Sequence, residues 1–176
     1  MANRELLDFY NGQGTDDKGR RIEEIWAFSN DDLESVHDYI QWLFPLMERS
    51  AFNPGAPLLD DETIARFWED EAIRDNLARS LAVMLDFYGL ATAGHSILRV
   101  PTFGTRSRVW LTPHNHNFLR LTRILNSLSL LGLPDRAMQL LACLEEIARL
   151  RAGIISDETL RYWRAASKAD PSLRSG

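Results

Sequence analysis

Apolar residues recur along this chain at steps of three and four, the period of an amphipathic helix, over most of its length. Leu6, Leu7 and Tyr10 mark a first short helix that Gly12-Gln13-Gly14 stops, and residues 11–19 read as loop. Ile22, Ile25 and Trp26 mark a second. Ser29-Asn30-Asp31-Asp32 offers acceptors for the free N–H groups of a third, expected to run to about Phe44, where Pro45 ends it. Pro54, Gly55 and Pro57 make 50–59 an ordered turn, and Asp60-Asp61-Glu62 places negative charge where a helix start favours it. Ile64, Phe67 and Trp68 fit one short helix. Ile73, Leu77, Leu81, Met84, Leu85 and Tyr88 then form the clearest stripe in the chain, closed by Gly89.

The rhythm breaks over 90–113. Ile97 to Val100 and Arg108 to Leu111 flank Pro101-Thr102-Phe103-Gly104-Thr105, so this stretch is expected to form a β-hairpin or an extended loop. A long helix resumes near Asn115 with Leu121, Ile124, Leu128 and Leu131. Gly132 and Pro134 turn it into an antiparallel neighbour carrying Ala137, Leu140, Leu141, Leu144, Ile147 and Ala148, which stops at Gly153. Ser156-Asp157-Glu158-Thr159 caps a last helix with Leu160 and Trp163, and the chain from Asp170 is expected to fray. The pattern predicts an all-α fold: an irregular multi-helix bundle with a small β-hairpin or extended loop at about 97–111. It reads as a single domain over 1–168 with a frayed tail over 169–176.

Composition narrows the class. At 176 residues, 45% hydrophobic and 26% charged, the chain is long enough to bury a core without staples. A formal charge of -5 argues against nucleic acid as the partner, because a polyanion meets net repulsion. Cys143 is the single cysteine, so neither a disulfide scaffold nor a thiolate zinc site applies. Met1-Ala2-Asn3-Arg4-Glu5 is charged where a signal peptide needs an apolar run, and no stretch reaches the roughly 18 to 20 apolar residues of a membrane span. A cytoplasmic protein without a membrane partner is expected.

Two groups of residues could carry chemistry. With the third helix continuous, His37 and Gln41 stand one turn apart, and Trp42 could wall a pocket with His37 at its rim. Equally, His37 and Gln41 could be buried polar groups that tie helices together. The sharper anomaly is the stretch from Arg99 to Arg123, which gathers Arg99, Arg106, Arg108, Arg120 and Arg123 without one Asp or Glu. His116, Arg120, Arg123 and Ser127 fall on one helix face, opposite the apolar one. Guanidinium groups beside the free N–H groups of a helix start suit a carboxylate or phosphate. The alternative is internal neutralisation by the acids between Asp60 and Asp75.

Metal and cofactor chemistry are not expected. His114 and His116, two apart on a helix, point to different sides, and no carboxylate or thiol stands near them. Gly12-Gln13-Gly14 lacks the Gly-Lys-Ser of a phosphate loop, no Gly-x-Ser-x-Gly elbow exists, and Cys143 sits in a leucine stripe that reads as core.

The run His37 to Pro45, the turn Phe52-Asn53-Pro54, the segment Met84 to Gly89 and the helix His116 to Leu125 resemble, in the same order, the conserved region of the opioid growth factor receptor family. The resemblance covers about residues 4–150 and implies an all-helical domain. For the vertebrate receptors it implies binding of an enkephalin peptide and restraint of growth. It singles out His37, Asp38, Gln41, Trp42, His116, Asn117, Arg120 and Arg123 as ligand-binding candidates, and assigns none of them a catalytic role. Arg99, Arg106 and Arg108 form a secondary basic group. The leading expectation is a non-catalytic binding module for a peptide or small anionic ligand. The alternatives are an enzyme acting on a phosphorylated or carboxylated small molecule, with His37 or His116 as general acid-base, and a structural or oligomerising protein.

Overall fold

The computed structural model describes residues 1–169, so the tail expected to fray from Asp170 lies outside the described residues. Among the described residues ten helices and one two-stranded sheet are present, an all-α fold with a small hairpin. Two compact units divide inside α6, one covering 1–80 and the other beginning at Leu81.

The first unit holds α1 (Arg4–Tyr10), α2 (Ile22–Trp26), α3 (Asn30–Ser35), α4 (Ile40–Leu43), α5 (Asp61–Glu69) and the first part of α6 (Glu71–Tyr88). Most of its helices are too short to persist alone, so side-chain caps and burial hold them. The Asn3 carboxamide oxygen accepts from Leu6 N at 3.1 Å, Ser29 Oγ from Asp32 N at 3.1 Å, and Asp60 Oδ1 from Thr63 N at 2.7 Å. Asp70 Oδ1 accepts from Ala72 N and Ile73 N at the start of α6. Phe9, Tyr10, Trp42 and Phe67 are buried around edge-to-face contacts, with Phe9–Trp42 and Tyr10–Phe67 centroids each 5.2 Å apart. Such pairs add about 0.5–1.5 kcal/mol each beyond the area they bury.

The expected third helix is two helices. Val36 leaves α3 in extended conformation (φ -86°, ψ 129°), and helical hydrogen bonding restarts only at Ile40. Tertiary bonds hold the break open: Tyr39 Oη donates to the Leu33 carbonyl at 2.6 Å, and Asp38 pairs with Arg20 Nη2 at 2.9 Å.

The second unit begins with the end of α6, followed by β1 (Leu90–Ala93), β2 (Ser96–Arg99), α7 (Phe103–Trp110), α8 (Asn117–Leu130), α9 (Pro134–Leu150) and α10 (Asp157–Ala166). The hairpin exists but lies earlier than expected, with Leu90 opposite Arg99 and a turn at Gly94 (φ +60°). Arg108–Leu111 is no strand: Arg108 to Trp110 end α7, a helix because Phe103, Ser107 and Trp110 bury one face of it. Helix α7 also closes α6. Arg106 Nε donates to the Phe87 carbonyl at 2.7 Å and Trp110 Nε1 to the Tyr88 carbonyl at 3.1 Å, satisfying acceptors that a helix C-terminus leaves open. Helices α8 and α9 join through Gly132 (φ +94°), and α10 packs onto both, with the Trp163 indole N–H on the Phe118 carbonyl at 3.1 Å.

Candidate ligand-binding site

In the first unit the run His37–Pro45 and the turn Phe52-Asn53-Pro54 meet: Asn53 Nδ2 donates to the Asp38 carbonyl at 3.4 Å. His37 is exposed and stands outside any helix. Gln41 is buried, and its Nε2 donates to the His37 backbone carbonyl at 3.3 Å, while its Oε1 has no hydrogen-bond partner. Asp38 belongs to an ion-pair chain. Arg20 Nε meets Asp16 Oδ2 at 2.7 Å and its Nη2 meets Asp38 at 2.9 Å, while Asp16 Oδ1 also accepts from Lys18 N and Arg20 N at 2.9 Å each. Burial alone would lower the Arg20 pKa, but its hydrogen bonds to Asp16 and Asp38 outweigh that and hold it above the ordinary value.

Trp42 is 3% exposed and donates its indole N–H to Asp17 Oδ1 at 3.1 Å. It walls a cavity of about 420 Å³ whose other lining includes Glu5, Asp8, Asp16, Asp17 and the backbone at Gly14 and Gly55. The sequence reading of a pocket beside Trp42 named none of these acids. Their signal is present: Glu5 and Asp8 share a face of α1, and the Gly12-Gln13-Gly14 turn brings Asp16 and Asp17 back towards it.

In the second unit the polar stripe of α8 lies largely inside. Asn117 and Ser127 are 0% exposed and Arg120 is 6% exposed, whereas His116 is exposed and Arg123 half-buried. Asn117 is held from three sides: Asn115 Oδ1 accepts from its backbone N–H at 2.9 Å and from its Nδ2 at 3.0 Å, and Asn117 Oδ1 accepts from the Tyr88 hydroxyl at 3.3 Å. Asn115 Nδ2 donates to the Val109 carbonyl at 3.0 Å, binding the end of α7 to the start of α8. His114, ahead of this cap, adopts φ +58°, a left-handed conformation that costs a non-glycine residue about 1–2 kcal/mol.

The secondary basic group divides by role. Arg106 caps α6 and lies over the Phe87 ring at 4.8 Å. Arg99 reaches Glu146 at 3.9 Å and lies over Phe103 at 5.7 Å, while Arg108 is exposed on α7. The acids between Asp60 and Asp75 include two helix caps, Asp60 and Asp70, which accounts for part of that acidic run without any arginine.

The four runs singled out in the sequence build helix junctions and a helix start within an all-α fold. The chain belongs to the opioid growth factor receptor conserved-region family, whose sequence model matches residues 2–174. It is 40% identical over 121 residues to the opioid growth factor receptor of Mus musculus, covering 65% of this chain and 19% of that protein. It is 38% identical over 118 residues to the Homo sapiens receptor (64% and 17%), and 38% identical over 119 residues to opioid growth factor receptor-like protein 1 of Xenopus tropicalis (65% and 23%). The chain thus aligns with about a fifth of the length of these curated relatives. No solved structure matches it. No helix among the described residues is long and apolar enough to cross a membrane.

Proposed function

We propose that this chain is a non-catalytic binding module that takes a peptide or small anionic ligand through the α7–α8 region of its second unit. The observation that carries this is the acid-free stretch from Arg99 to Arg123, which presents Arg108 and His116 to solvent with half-buried Arg123 on the helix behind them. Arg108 and Arg123 supply planar, two-pronged donors for a carboxylate. Arg120 and Asn117, being buried, hold α8 in place rather than greet the ligand. The relatives are named as receptors for an opioid growth factor, which supports a peptide as the ligand class. Titration of a labelled enkephalin peptide into the full chain tests the proposal. Arg108→Ala combined with Arg123→Gln is expected to weaken binding about tenfold, and unchanged affinity overturns it.

A second reading rests on the cavity beside Trp42. The carboxylates of Glu5, Asp8 and Asp17 and its indole wall favour a cationic group, such as a peptide amino terminus, over an anion. Amino-terminal acetylation of the same peptide separates the two: loss of affinity on acetylation, with none from the arginine variant, selects the cavity.

A further inference from the structure

Helix α9 runs alongside β2 in the same direction. Arg136 Nη1, near the start of α9, donates to the Gly94 carbonyl at 2.9 Å, and Arg99 Nη2, at the end of β2, lies 3.9 Å from Glu146 Oε1. Between these two ties is a cavity of about 360 Å³. Its walls are the consecutive hairpin residues 95–98 and one stripe of α9 that includes Met138, Ala142 and Cys143, which helical spacing puts on a single side. Its size falls within the roughly 300–1,000 Å³ of ligand pockets.

The hairpin register decides which backbone groups face outward. Val100 N donates to the Gly89 carbonyl at 3.0 Å and Leu90 stands opposite Arg99, so bonded and non-bonded pairs alternate from there. Ala91–Leu98 and Ala93–Ser96 are the bonded pairs. Ile97 and Arg99 therefore turn their N–H and C=O away from β1, to the free edge of β2, and these groups have no hydrogen-bond partner among the described residues. Ile97 is only 4% exposed, and a buried residue is seldom left with its backbone pair unmatched. Apolar surface adjoins the edge. Leu98, on the opposite face of the strand from Ile97, is 51% exposed, and Met138, on the cavity wall, is 46% exposed. An extended polypeptide repeats a donor and an acceptor at the two-residue spacing of about 6.6 Å that Ile97 and Arg99 set. The Arg99–Glu146 pair is long and half open to solvent, which leaves the guanidinium able to take a second carboxylate.

We propose that the free edge of β2 takes an extended segment of another protein as a third, antiparallel strand. The residue opposite Ile97 is apolar and enters the cavity over Ala142 and Cys143. Its neighbour opposite Leu98 is apolar too, and the residue opposite Arg99 is acidic. Antiparallel pairing puts these in the order acid, apolar, apolar along the incoming segment. The site uses neither Arg108 nor Arg123, so it and the α7–α8 region stand or fall separately.

The test is fluorescence anisotropy of the full chain with labelled Ser-Glu-Val-Val-Thr-Ser, alongside amide hydrogen exchange followed by NMR. Binding is expected, with exchange slowed at Ile97 and Arg99 and unchanged at Leu98, whose N–H is already bonded to β1. Methylating the amide nitrogen of the second valine, which donates to the Ile97 carbonyl, should weaken binding at least about tenfold, whereas methylating the first, whose N–H points away from β2, should not. Ala142→Lys, on the exposed side of α9, should also weaken binding about tenfold, while Arg108→Ala leaves it unchanged. Circular dichroism melting separates lost binding from lost folding in Ala142→Lys, and the methylated peptides test the unaltered chain. No binding, the same affinity for both methylated peptides, unchanged binding by a folded Ala142→Lys, or protection of Ile97 by a dimer of the chain without peptide overturns the proposal.

Discussion

Gly89 stands so close to Phe103 that a Cβ built on it would lie 2.6 Å from the Phe103 Cα, at a position where φ is +79°. Both facts disfavour any side chain: the left-handed conformation costs about 1–2 kcal/mol for an L residue, and the clash is with backbone that cannot swing away. Helix α6 ends here because Gly89 permits it, and α7 can then reach back with Arg106 and Trp110 to satisfy the Phe87 and Tyr88 carbonyls. Gly89→Ala is expected to destabilise the protein by about 3 kcal/mol or more. Urea unfolding followed by tryptophan fluorescence would show the midpoint falling, and an unchanged midpoint would mean that this junction is looser than its geometry indicates.

Ser80 serves two partners at once. The Trp26 indole N–H donates to its Oγ at 2.9 Å, and the Tyr10 phenol lies 3.2 Å from the same atom. Tyr10 also donates to the Leu43 carbonyl, which leaves the Ser80 hydroxyl to donate to the phenolic oxygen. Burial pushes the Tyr10 phenol well above its usual value, and the Ser80 bond offsets only part of that. Removing the hydroxyl strands a buried donor and an acceptor together, so Ser80→Ala should cost about 1–3 kcal/mol. Ser80→Thr, which keeps the hydroxyl, should cost less of the polar term while adding a methyl to a fully buried site; comparing the two melts isolates the hydrogen bonds from the packing.

How much of this was legible in the sequence depends on what decided each element. The stripes of α6, α8 and α9 are set by apolar periodicity, and their positions follow from it. Strand β1 is Leu-Ala-Thr-Ala, and alanine has little strand preference, so nothing local marked its place and the hairpin was expected further along. Helix α7 contains Gly104, Thr105, Ser107 and Val109, all weak helix formers, and owes its form to the burial of Phe103 and Trp110. The split between α3 and α4 rests on a side-chain bond from Tyr39 back to Leu33 and on the pairing of Asp38 with Arg20 from the preceding loop, which apolar periodicity does not announce. Of the stripe His116, Arg120, Arg123 and Ser127, expected to face outward because polar residues on a helix usually do, Arg120 and Ser127 are buried, which the local pattern does not display.

Asp16 anchors the loop between α1 and α2. Its fully buried carboxylate accepts from two backbone N–H groups and from Arg20, which in turn holds Asp38. Asp16→Ala leaves the loop amides and a half-buried guanidinium unmatched, and is expected to cost about 3 kcal/mol. Asp16→Asn keeps the shape and can still accept, so a smaller loss of about 1–2 kcal/mol should follow. Chemical denaturation of both variants checks the order, and equal losses would show that the charge rather than the acceptor geometry matters.

The buried thiol gives a pH dependence whose sign can be worked out. Cys143 is 4% exposed, and burial pushes its pKa up to about 11, helped by Glu146 and opposed by Arg99. The folded protein therefore keeps the proton over a pH range in which the unfolded chain, with an ordinary thiol near 8.5, has released it. Between those values the native state binds more protons than the unfolded state, so stability falls as pH rises; below about pH 8 the contribution is fully present. The loss attributable to this group is on the order of 3 kcal/mol by pH 11, and Cys143→Ala should flatten that part of the curve after its own packing cost is subtracted. Native thiol reactivity towards iodoacetamide at pH 8 should also be far below that of the denatured chain, because the thiolate is both scarce and covered. Rapid native alkylation would show the α9 face around Cys143 to be open to solvent.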